Sequence, residues 1–138
     1  MEISDARWLA KAQDKKYYID IIFGSKTDQT SIDLHVRENS KGFYKSLFEE
    51  ASKVADVLAL CGDLTDHGTV EEAKVLVEEM LSISIPVVGV LGNHDFENGQ
   101  EKEIAEVLGK AKMILLGDEP WEYKDVSFAG VKGFGGGF

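Results

Sequence analysis

Cysteine is almost missing from this chain: Cys61 is the only one in 138 residues. An intrachain disulfide is therefore impossible, and a reducing compartment, the cytoplasm, is the expected setting. Cys61 itself lies inside an apolar run and reads as a small core residue. Proline is scarce too, with Pro86 at the head of a strand pattern and Pro120 in a polar turn. No apolar stretch approaches the length of a membrane span, and no secretory leader pattern opens the chain. A membrane is thus not an expected partner. Positive charge is the last shortage. The 15 Lys and Arg face 25 Asp and Glu, for a formal net charge of −10. That balance disfavours a nucleic-acid backbone as the main partner. It leaves room for a phosphorylated small molecule or a phosphodiester, because a bound cation can supply positive charge locally.

What is present is a globular composition, 43% hydrophobic and 29% charged. Its length suits a single domain, 1–138, with an atypical amino-terminal segment over 1–31. The organising stretch is Val57–Gly68. Val57–Cys61 reads as a buried strand, and it gives way at Gly62 to Asp63, Thr65, Asp66 and His67. In open α/β sheets, ligands gather at the carboxyl ends of strands.

Around that centre, strand and helix patterns alternate. Ala6–Ala12 hints at a short amphipathic helix, and Tyr17–Phe23 is rich in strand formers. Ile32–Val36 alternates apolar and polar residues. Lys41–Ala55 has helical spacing, as does Thr69–Ser82, where Thr69 and Glu72 form a capping box. Val87–Leu91 is a second strong strand. Glu101–Leu108 is a helix with Gly109 as its carboxy-terminal cap. Met113–Leu116 and Val126–Val131 are further strands. The alternation predicts an α/β fold with a largely parallel sheet.

Three polar bursts end strand patterns: Asp33-Leu34-His35, Gly62-Asp63-Leu64-Thr65-Asp66 and Gly92-Asn93-His94-Asp95. All three histidines of the chain, His35, His67 and His94, lie in or beside them. Each burst alone has a plainer reading. Asp33 and His35 fit a solvated strand edge, Asp63 and Asp66 can cap the following helix, and Gly92-Asn93 is ordinary turn chemistry. Together, oxygen donors and imidazoles suit Mn, Fe or Zn.

The set DxH, GDxxD and GNHD, in this order, resembles the calcineurin-like metallophosphoesterase superfamily from Ile32 onward. The resemblance implies stacked sheets between helix layers and a two-metal hydrolysis of phosphate mono- or diesters. It implies Asp33 and His35 as ligands of a first metal, and Asp63 as a bridging carboxylate. Asn93 becomes a ligand of a second metal and a substrate contact, and His94 the general acid. The Asp66 carboxylate would orient His94, and His67 would stand near substrate. Relatives carry further histidines after this last motif, whereas none follows His94 here. The expectation is therefore a partial domain that holds one metal rather than two, with an uncovered sheet face open to self-association.

Overall fold

The computed structural model describes residues 34–131 and four strand segments before them, Arg7–Trp8, Lys11–Ala12, Lys15–Lys16 and Ile19–Phe23. These segments are β1 (Arg7–Trp8), β2 (Lys11–Ala12), β3 (Lys15–Lys16) and β4 (Ile19–Phe23). They are followed by α1 (Lys45–Val54), β5 (Val57–Cys61), α2 (Val70–Met80), β6 (Val87–Val90), α3 (Glu101–Lys110), β7 (Met113–Leu115), β8 (Trp121–Tyr123) and β9 (Val126–Phe128). A single turn of 3₁₀ helix, Asn93–Phe96, follows β6.

The main sheet has the order β1-β4-β5-β6-β7. Strands β4 to β7 pair in parallel, and β1 adds an antiparallel edge. The expected α/β architecture with a parallel sheet flanked by helices is what the chain adopts. β5 lies in the middle because it is apolar on both faces. Leu58 and Leu60 join one buried cluster, and Val57 and Ala59 join another.

All three helices supply the first cluster, through Leu47, Phe48 and Ala51 of α1, Ala73, Leu76 and Met80 of α2, and Ile104 and Leu108 of α3. Each repeats at three- or four-residue spacing, the stripe that a sheet-packed helix needs. The second face carries Val57, Ala59 and Val88, with Trp121, Tyr123 and Phe128 of the β8–β9 hairpin packed against them. The expectation of an uncovered face is thereby corrected over β5 and β6. The hairpin turns at Lys124 and Asp125, both at positive φ, and brings its aromatic side chains onto the sheet.

Other expectations shift at the edges. The helix hinted over Ala6–Ala12 is corrected, since Arg7–Trp8 pairs with β4 and Lys11–Ala12 with β3. Ile19–Phe23, not Ile32–Val36, is the strand beside β5. Of the latter stretch, Val36 makes one isolated parallel bridge to Thr65. Gly109 lies inside α3, which runs on to Lys110, rather than capping it. Thr69 caps α2 as expected, its side chain accepting from Glu72 N and the Glu72 carboxylate accepting from Thr69 N.

Candidate active site

The site is built where the chain leaves β5 and β6. Beyond Cys61 the backbone turns at Gly62 and continues as Asp63–Asp66 alongside Leu34–Arg37. His35 N donates to Asp63 O (3.1 Å), Val36 N to Leu64 O (3.0 Å) and Asp66 N to Val36 O (3.0 Å). Leu34, Val36 and Leu64 are buried beneath this short ladder, so the polar residues between them face the other way. His35 (φ 30°) and Asp63 (φ 47°) both occupy the left-handed region. For residues other than glycine this costs about 1–2 kcal/mol each, a cost met at sites where geometry is over-determined.

Asp95 does most of the over-determining. It is fully buried. Its Oδ1 accepts from Thr65 N (2.8 Å) and Thr65 Oγ1 (2.7 Å), and its Oδ2 from Leu64 N (3.1 Å) and Gly92 N (2.7 Å). One carboxylate thus joins the loop after β5 to the loop after β6. The two loops also touch through glycine. A Cβ on Gly92 would stand 2.2 Å from Asp63 N and 2.3 Å from Asp63 Oδ1, and one on Gly68 would stand 2.6 Å from the His94 carbonyl oxygen.

That close approach brings the functional side chains together. Asp63 Oδ1 accepts from His94 N (3.0 Å), and its Oδ2 is 3.9 Å from His35 Nε2. The rings of His35 and His94 meet edge-to-face, with centroids 4.4 Å apart at 86°. Asp66, nearly buried, is the hub. Its Oδ2 accepts from Arg37 Nε (2.7 Å) and lies 3.3 Å from His67 Nε2. Its Oδ1 is 3.5 Å from His35 Nδ1 and 4.0 Å from His94 Nδ1. All three histidines of the chain therefore surround one carboxylate.

His94 Nδ1 donates to the Asp66 carbonyl oxygen (2.7 Å). A carbonyl can only accept, so Nδ1 carries the proton and Nε2 is the atom left for a ligand or a second proton. The orientation expected from the Asp66 carboxylate comes instead from the main chain of the same residue. His67 is exposed and turned to Asp66. Its backbone N donates to Glu72 Oε1 (2.9 Å), which ties it to the start of α2. Asn93 is exposed at the first position of the 3₁₀ turn. Asp33 lies outside the described residues.

His35, Asp66 and His94 offer ligand atoms within 4.8 Å of one another, and so do Asp66, His67 and Glu72. A carboxylate with two imidazoles fits a borderline divalent cation such as Mn, Fe or Zn. The first group keeps His35 and adds Asp66 and His94, which the motifs had placed in other roles.

Sequence reasoning reads Asp95 only as structural or solvated and passes over Arg37. Asp95 stood inside its motif, but only its burial reveals what it holds. Arg37 meets Asp66 across twenty-nine positions, and no local pattern signals that contact.

A parallel sheet with carboxylates and imidazoles gathered at the carboxyl ends of adjacent strands defines an α/β protein with a candidate metal centre. The family model described as calcineurin-like phosphoesterase matches residues 33–136, and the chain belongs to that family. Searches of curated proteins and of solved structures return no match to the chain. Among the described residues, no helix is long and apolar enough to cross a membrane.

Proposed function

We propose that the chain is a metal-dependent phosphoesterase that hydrolyses a phosphate mono- or diester. The observation that carries this reading is the convergence of His35, His67 and His94 on Asp66 at the end of β5, in a chain of this family. His35, Asp66 and His94 would hold one divalent cation, with Asp33, Asp63 and Asn93 as further oxygen donors. A bound cation supplies Lewis-acid polarisation of the phosphoryl group and lowers the pKa of water.

The chain's own residues do the rest. Asp63 receives the His94 backbone N–H and so fixes the turn that carries the imidazole. His94, held through Nδ1, presents Nε2 as the atom that would bind the cation or, where it is not a ligand and has taken up a second proton, pass that proton to the leaving oxygen. Arg37, paired with Asp66, keeps a positive charge beside the cluster for the anionic ester.

A second reading is a weakly active chain that holds one cation. The two candidate donor groups both require Asp66, so they compete for it. Assays with p-nitrophenyl phosphate and bis-p-nitrophenyl phosphate, with added Mn²⁺, Fe²⁺ or Zn²⁺, separate the two. The first reading expects cation-dependent turnover that His94→Ala lowers by about 100-fold or more. Saturable binding of one cation with negligible turnover favours the second. Absence of both binding and turnover contradicts each.

A further inference from the structure

A cavity of about 380 Å³ opens directly beside His35, lined by Leu34, His35, Arg37, Asn39, Ser40, Phe43 and Tyr44. Its walls are mainly polar, yet Phe43 on its lip is 66% exposed. The loop that carries Phe43 is firmly held. Arg37 N donates to Ser40 Oγ (2.9 Å), Ser40 N to Arg37 O (3.0 Å) and Phe43 N to Ser40 O (3.0 Å). Lys41 Nζ reaches Glu78 Oε2 of α2 (2.9 Å), and the Tyr44 hydroxyl donates to the Leu34 carbonyl. Burial pushes the Tyr44 phenol up, which keeps that proton in place. A pinned loop thus presents an aromatic face to solvent next to a guanidinium and a carboxamide.

We propose that this cavity is the leaving-group subsite, and that it takes a planar aromatic group, a nucleobase or an aryl ring, stacked on Phe43. This rests on the phosphoesterase reading above and adds the class of substrate. The argument is one of adjacency. His35 belongs both to the donor cluster and to the cavity wall. In this proposal a phosphate held at the cluster has its ester group entering the adjoining cavity. Arg37 is one carboxylate away from His35, through Asp66, on the side where the proposal puts the phosphate. Asn39 offers a donor and an acceptor to the edge of a base, and the Phe43 ring offers the face. Base–aromatic stacking tolerates any base, so the subsite selects for planarity before identity.

The test is binding, measured by calorimetry with Mn²⁺ present and without it. The ligands are adenosine 5′-monophosphate, phenyl phosphate and ribose 5-phosphate. The expected result is that adenosine monophosphate binds about tenfold tighter than ribose 5-phosphate. Phe43→Ala removes that ratio, Phe43→Trp retains it, and Leu81→Ala, at another exposed apolar residue, leaves it unchanged. Phenyl phosphate distinguishes the two aromatic sources: parity with adenosine monophosphate means an aryl pocket, and weaker binding means a base pocket. Equal binding of adenosine monophosphate and ribose 5-phosphate overturns the subsite while leaving phosphoesterase activity intact. A ratio that survives Phe43→Ala also overturns it. Binding of none of the three overturns it, and the ester assays then decide the underlying reading separately.

Discussion

Replacing Asp95 is the sharpest structural perturbation available. In Asp95→Ala, four buried donors lose their acceptor: Leu64 N, Thr65 N, Thr65 Oγ1 and Gly92 N. A hydrogen bond to a charged group contributes about 1.5–3 kcal/mol, so simple addition over four bonds reaches roughly 6–12 kcal/mol. The bonds are not independent, and water can enter the space left by the carboxylate. A loss of about 3–5 kcal/mol is the realistic size, similar to removing one partner of a buried ion pair. That is a large share of the about 5–15 kcal/mol that holds a typical domain together. Asp95→Asn keeps the shape but sets an NH₂ against at least one backbone N–H, Thr65 N on one side or Leu64 N and Gly92 N on the other, so it should lose a smaller but still large share.

The assay is urea unfolding followed by circular dichroism. With a slope of about 1–3 kcal/mol/M, a loss of that size lowers the midpoint by more than about 1 M. Thr69→Ala serves as a yardstick, because loss of the α2 cap costs only about 1 kcal/mol. A midpoint for Asp95→Ala equal to that of Thr69→Ala would refute the view that this carboxylate joins the two loops.

Three further outcomes are expected. Gly92→Ala forces Asp63 away from His94, and should weaken Mn²⁺ binding by at least about tenfold as measured by calorimetry. Burial pushes the Cys61 thiol up, so the native protein stays largely in the unreactive thiol form near pH 8. Its reaction with a disulfide reagent should be slow in buffer and fast in denaturing urea. Arg37→Ala removes the guanidinium from Asp66, and should raise KM for a phosphate ester more than it lowers kcat.

Much of this was legible in the sequence, for identifiable reasons. β5 is legible at its bounds because five consecutive apolar residues end at a glycine, and a strand buried on both faces leaves that signature. α2 was found with its cap because Thr69 and Glu72 act within one turn. What escaped depended on distance. β8 was missed because Trp121–Tyr123 is defined by its partner β9 and by the sheet face that it covers. Gly109 looked like a helix end because glycine favours one, but the helix runs one residue past it. The strand beside β5 came from Ile19–Phe23, and the DxH motif trails it at some distance, so strand and motif could not be joined by reading along the chain. In the site, the motifs named the residues but not their partners. Asp66 was assigned one histidine and gathers three, and Asp95 holds together the loops on which the others stand.

The central claim is that the residues around Asp66 form a divalent-cation centre. Calorimetric titration of Mn²⁺ into the chain, and into its His35→Ala and His94→Ala variants, tests it most directly. The account predicts saturable binding of about one cation per chain, weakened about tenfold or more in each variant while both remain folded by circular dichroism. No saturable binding, or binding that both variants retain unchanged, would contradict it.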